Sequence, residues 1–330
     1  MIRLEQVSKH FGTMVAVDRV DMEVPAGAVC VLLGPSGCGK TTTMKMINRL
    51  IPPTSGKIFV DGKDTTGVDE VSLRRAIGYV IQQIGLFPNM TVEDNICVVP
   101  DLLGWPRAKS RKRAAELLDM VNLDPSVFLR RYPKQLSGGQ QQRVGVVRAL
   151  AADPPVLLMD EPFGAIDPIN REVIQDEFMK LQAELKKTIV FVSHDIDEAV
   201  KMGDRVAIFE VGGKLSQYGT PAELLGHPAN DFVADFVGST TSLRRLTVTP
   251  ISREHLEPLD GVAAGDLGAT VPLDSTLEQA LAVLLREDRA VVGVTDGPGF
   301  AGVLTPNGIH RALRESLAAT PPARHDATTE

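Results

Sequence analysis

The stretch AVCVLLGPSGCGKTT, residues 28–42, decides how this chain is read. Its first part is a near-continuous apolar run, the pattern of a strand buried on both faces. Its second part, GPSGCGKT at Gly34–Thr41, fits G-x-x-x-x-G-K-[ST] without a mismatch, and the helical TTMKMINRL follows. Strand, glycine-rich turn and helix start make a phosphate cradle. Glycines let successive N–H groups point inward, and the helix N-terminus adds positive potential. Lys40 is expected to reach the β- and γ-phosphates and the Thr41 hydroxyl to ligate Mg²⁺. Cys38 reads as a small filler in the loop, not a redox switch.

Two more apolar runs, PVLLMDE and TIVFVSH, also end in polar residues. Ligands of open α/β sheets sit beyond the carboxyl ends of the strands, so Asp160, Glu161 and His194 are expected to face the phosphates. Neighbouring residues on a strand point to opposite sides, which gives the two acids different jobs. Asp160 is expected to hold Mg²⁺, and Glu161 to orient or deprotonate the attacking water. His194 is a candidate γ-phosphate contact. Gln82, after GYVI, could complete the Mg²⁺ shell and orient the water.

These strands alternate with helical patterns, and SRKRAAELLDMVNL places Ala114, Leu117, Leu118 and Val121 on one helical face. IRLEQVSKHF and GKIFVDGKD read as an added antiparallel β layer. The fold class is therefore α/β with a β subdomain. A length of 330 residues suits about two domains. The net charge of −7 gives no reason to expect a nucleic-acid partner. Cys30, Cys38 and Cys97 are too few for a disulfide framework and lack metal-ligand spacing, which points to a reducing, cytoplasmic compartment. The charged MIRLEQVSKHF is not a signal peptide, and no stretch has the ~20 apolar residues that span a bilayer. Any membrane role is expected to be peripheral, through a partner chain. The basic run RAKSRKR, 107–113, reads as a solvated helix face.

A second glycine-bearing loop, LSGGQQQR at 136–143, poses a problem. Ser137, Gly138 and Gly139 precede a helix through Val144, Val147 and Leu150, and that helix end is an anion site too. The first loop already holds the phosphates within one compact chain. Two copies packed head to tail resolve this, each offering its LSGGQ to the nucleotide held by the other.

At this point the chain resembles the ATP-binding subunit of an ABC transporter, over residues 2 to about 238. The resemblance implies Phe11 as the aromatic stacking on adenine. It implies a nucleotide loop of Gly34, Ser36, Gly37, Cys38, Gly39, Lys40, Thr41 and Thr42, with Gln82 as the Q-loop residue. It further implies a signature of Ser137, Gly138, Gly139 and Gln140 acting in trans, the Walker B acids Asp160 and Glu161, the D-loop Asp167 and the H-loop His194. The cofactors implied are ATP and Mg²⁺. The D-loop reads GAID where SALD is commoner, with Asp167 retained.

The sequence IGYVIQQIGLFPNMTVEDNI, with MKMINRLIPPTSGKI, resembles the quaternary-amine importers of glycine betaine, choline, carnitine or proline betaine. That implies a transmembrane permease as partner, an extracytoplasmic substrate-binding protein indirectly, and a peripheral position on the inner face of the cell membrane. The alternative is an importer of another small solute. A non-transport ABC ATPase is disfavoured by the single cassette, the short gap between the two loops and the net acidity. A small-molecule kinase leaves LSGGQ unexplained.

All thirteen lysines lie at or before Lys214. Residues 239–261, Ser/Thr-rich at their start, read as a linker, and 262–316 resemble a single CBS motif, an α+β unit. Either a dimerisation cap or a regulatory sensor fits it. From residue 243 onward there are 8 Arg and 12 acids, so its surface is a poor electrostatic reader of anionic lipid. Residues 317–330 read as a disordered tail.

Overall fold

The structure is a computed structural model and describes residues 1–81, 85–164, 166, 168–238, 241–258, 269–297 and 299–318. The chain forms two compact units, the first from Met1 to Tyr218 and the second from Gly219 onward. Among the described residues no helix is long and apolar enough to cross a membrane.

The first unit is built on strands β1 (Ile2–Phe11), β2 (Met14–Val24), β3 (Val29–Leu33), β4 (Ser55–Val60), β5 (Lys63–Asp64), β6 (Ile77–Val80), β7 (Val156–Asp160), β8 (Thr188–Val192), β9 (Arg205–Glu210) and β10 (Lys214–Gly219). Their order across the sheet is β5-β4-β1-β2-β10-β9-β3-β8-β7-β6. β3 pairs in parallel with β8 and β9, and β7 with β8 and β6. Every residue of β3, β7 and β8 is buried, as their unbroken apolar runs require. Removing each large apolar side chain there from water contributes about 1.5–3 kcal/mol.

β1 pairs antiparallel with β2 and β4. These strands are not a separate layer. Lys214 of β10 registers in parallel with Asp18 of β2, and the Asp18 amide donates to the Gly213 carbonyl at 2.9 Å, so one sheet runs through both parts.

The helix Arg107–Met120 buries Ala114, Leu117 and Leu118, and Val121 is buried at its end, the predicted face. Its residues Arg107, Lys109, Arg111 and Lys112 are exposed. The helix Gly138–Leu150 starts from a capping box. Ser137 Oγ accepts from the Gln140 amide at 3.3 Å, while Gln140 Oε1 accepts from the Ser137 amide at 2.9 Å. Its buried face includes Val144, Val147 and Leu150.

The second unit carries the helices Pro221–Gly226, Asp231–Val237 and Thr241–Val248, then strands β11 (Thr270–Pro272), β12 (Val292–Asp296) and β13 (Gly299–Leu304). β11 and β12 are parallel, β12 and β13 antiparallel, and the helices Leu277–Arg286 and Pro306–Ala318 complete a β-α-β-β-α order. Leu246 and Ile251, from the stretch read as a linker, pack in this core with Val271, Leu284 and Val294. Glu257 exchanges two backbone bonds with Val303, at 2.8 and 2.9 Å. Residues 259–268 and 319–330, the start of the CBS-like segment and nearly all of the tail, lie outside the described residues.

Candidate functional site

The loop Gly34–Thr41 leaves the end of β3 and turns into the helix Lys40–Ile47. Gly39 caps that helix at φ 98°, and a Cβ there would sit 2.2 Å from the Ala16 carbonyl oxygen of β2. Only glycine admits both that φ and that approach. The same contact fastens the phosphate loop to the hairpin whose other strand ends at Phe11. Phe11 is 45% exposed, with Lys9 Nζ 5.0 Å from its ring centroid. Gly37, by contrast, has open space where a Cβ would be, and Ser36 and Gly37 are exposed.

The Lys40 side chain is buried and folds back over the loop. Its Nζ donates to the carbonyls of Gly34 at 2.6 Å and Pro35 at 2.9 Å, and sits 3.7 Å from Cys38 Sγ. Burial raises the pKa of the Cys38 thiol, against the opposing pull of Lys40, so the thiol stays protonated. Thr42 is half-buried on the first turn of the helix.

Thr41 and Asp160 meet, the Thr41 hydroxyl donating to Asp160 Oδ1 at 3.0 Å. Asp160 is 5% exposed, and burial raises its pKa, opposed by the Thr41 bond. The neighbouring Glu161 raises it too, and Lys45 and Lys40 lower it. A hydroxyl and a buried acid at the mouth of an amide-lined loop suit a hard divalent cation that prefers oxygen. Such a cation would relieve the unfavourable charge of Asp160. The residues present therefore fit Mg²⁺ and a polyphosphate.

β7 ends at Asp160, and Glu161 turns off it in the left-handed region at φ 47°. The two acids diverge because of this backbone turn. The strand alternation invoked from the sequence is not the cause, since Glu161 lies past the strand. The Glu161 amide donates to the Val192 carbonyl at 3.1 Å, which holds the turn against β8. His194, two residues beyond β8, is 64% exposed, and its Nδ1 lies 3.9 Å from Glu161 Oε1.

Ser137 and Gly138 are exposed, with Gly139 and Gln140 half-buried. They line an open groove with Ile166 and Ile174. Gln82 and Asp167 lie outside the described residues.

A family model described as ABC transporter matches residues 17–164. The osmoprotectant import ATP-binding protein OsmV of Salmonella typhimurium is 55% identical over 91% of this chain and 77% of its own length. The chain belongs to the ABC transporter family. This ABC protein is also 53% identical to the glycine betaine/carnitine/choline transport ATP-binding protein OpuCA of Bacillus subtilis, over 88% of the chain and 73% of the relative. A solved dimer of the ATP-binding cassette MJ0796 in a post-hydrolysis state with ADP and Pi is 36% identical. It aligns at a TM-score of 0.60 over 67% of this chain and 99% of its own. The cbiO1 protein of Clostridium perfringens, part of an ABC transporter complex, aligns at 0.62 with 28% identity, over 69% of this chain and 91% of its own. The chain is thus an ABC ATPase, with ATP as substrate and Mg²⁺ as cofactor.

The sequence reading missed four polar residues behind His194: Arg171, Gln175, Ser193 and Glu198. Asp195-x-x-Glu198 reads as a capping signature that would leave Glu198 at the surface. Asp195 does cap the helix Ile196–Met202, but Glu198 is buried against Ser193 and Gln175. Gln175, in the same cluster, is also buried, at 6% exposed.

Proposed function

We propose that this ATPase energises import of quaternary-amine osmoprotectants through a separate membrane permease, from the inner face of the membrane. The observation that carries this is identity of 51–55% to osmoprotectant, glycine betaine/carnitine/choline and choline transport ATP-binding proteins over most of the chain. A groove lined by Arg74, Arg75, Ile81, Phe87, Val99 and Arg148 offers the permease an apolar seat with a cationic rim.

Phe11 stacks the base while the loop amides and Lys40 hold the phosphates, Lys40 exchanging its loop carbonyls for phosphate oxygens. Thr41, Asp160 and Gln82 would hold Mg²⁺, which supplies charge neutralisation at the β- and γ-phosphate oxygens. Glu161 accepts a proton from the attacking water, and His194 supports the γ-phosphate from the next strand. Ser137, Gly138, Gly139, Gln140 and Asp167 serve the nucleotide of a second copy, consistent with the dimeric relative. In the second unit, the β-α-β-β-α order supports a single CBS-like motif.

Cells lacking this subunit, resupplied with wild type or Glu161→Gln, test the reading by uptake of labelled glycine betaine and choline. Uptake of either solute with wild type only is expected. No uptake despite expression and ATPase activity would overturn the substrate class.

A further inference from the structure

His194 has little packing of its own to fix it, since most of its side chain is in solvent. Its orientation must come from the residues on either side, and both are held. Ser193 is 1% exposed. Its hydroxyl donates to Glu198 Oε2 at 2.6 Å and accepts from the Asp195 amide at 3.0 Å. Glu198 Oε1 accepts from Gln175 Nε2 at 3.1 Å. Arg171 Nη1 lies 4.0 Å from Asp195 Oδ2, and Arg171 Nη2 donates to the Ile166 carbonyl at 3.1 Å.

Arg171 and Gln175 stand one turn apart on the helix Pro168–Leu185, which begins directly after Asp167. One helix therefore grips both flanks of His194 and also the backbone one residue before the D-loop aspartate. Glu198 is only 7% exposed, and burial raises its carboxyl pKa, opposed by the Ser193 bond. A buried carboxylate costs stability that a surface residue would not, whereas hydrogen bonds on both of its oxygens hold it in one geometry.

We propose that Glu198, with Ser193 and Gln175, is a positioning residue that fixes the loop carrying His194 and ties its placement to the D-loop helix. The inference rests on the ATPase reading and on His194 acting at the γ-phosphate.

The test is phosphate release by the full chain carrying Glu198→Ala, in the wild-type and the His194→Ala backgrounds. The expected result is a roughly tenfold fall in kcat in the wild-type background with KM for ATP within about twofold, and no further fall where His194 is already gone. Glu198→Gln keeps two hydrogen-bonding atoms and is expected to retain most of the activity. An unchanged kcat, an equal fall in both backgrounds, or a glutamine variant as impaired as the alanine one would overturn the proposal. If Glu198→Ala gives no cooperative melt, Ser193→Ala is read in the same two backgrounds with the same expectations. A wild-type chain without ATPase activity would overturn the ATPase reading itself, and is distinguishable from each of these.

Discussion

His194 Nδ1 lies 3.9 Å from Oε1 of Glu161, although the two residues follow different strands, β8 and β7. Parallel pairing of those strands and the bond from the Glu161 amide to Val192 bring them together. Glu161 holds a left-handed φ of 47°, a conformation that costs of order 1–3 kcal/mol for a residue other than glycine. That cost is accepted where a carboxylate must be aimed. Glu161→Gln keeps the shape and removes the carboxylate proposed as the base. Turnover is expected to fall by about 10²–10⁴-fold, with ATP-bound dimers accumulating in light scattering. Near-normal phosphate release would remove Glu161 from the chemistry.

Gly39 and Gly37 both have positive φ, but only Gly39 lacks room for a Cβ. Gly39→Ala forces its new methyl against the Ala16 carbonyl. It is expected to cost more than the roughly 1–2 kcal/mol that a left-handed alanine costs at Gly37. Calorimetric melts should show the larger drop in Tm for Gly39→Ala, by several degrees. Equal drops would mean that the hairpin does not press on the loop.

Asp153 bonds Lys187 at 2.8 Å, and this bond, aided by the charges of Lys187 and Arg113, lowers its carboxyl pKa against the desolvation that raises it. A lowered folded pKa stabilises the protein above the ordinary, unfolded carboxyl value of 3.8. That contribution is lost as pH falls through the folded value. The side chain is 60% exposed, so screening limits the contribution to about 1 kcal/mol or less. Asp153→Asn should therefore lower stability slightly at neutral pH and match wild type in strong acid. Denaturant melts at both pH values check this, and a difference that grows on acidification would contradict it.

Much of the first unit was legible because burial on both faces leaves a mark in the sequence itself. β3, β7 and β8 are the three apolar runs, and the helix after Ser137 follows from its apolar face. Pairing between distant segments leaves no local mark. The Lys214–Asp18 register that merges the antiparallel strands into the main sheet was invisible for that reason. The turn at Glu161 was hidden too, because a left-handed glutamate is set by its neighbours and not by its own preference. Glu198 was hidden because folding brings Gln175, from another helix, against it, and that pairing leaves no local mark.

The central claim is that each ATP site is completed by a second copy. The direct measurement is ATPase activity of Lys40→Ala and Ser137→Arg variants, each inactive alone, after mixing and re-equilibration of their subunits. In a two-fold dimer a mixed pair has one site with both lesions and one site with neither. The account predicts recovery on mixing, up to about a quarter of wild-type activity, if pairing is random and sites act independently. No recovery, with mixed dimers demonstrably present, would mean that the signature loop serves the nucleotide of its own chain.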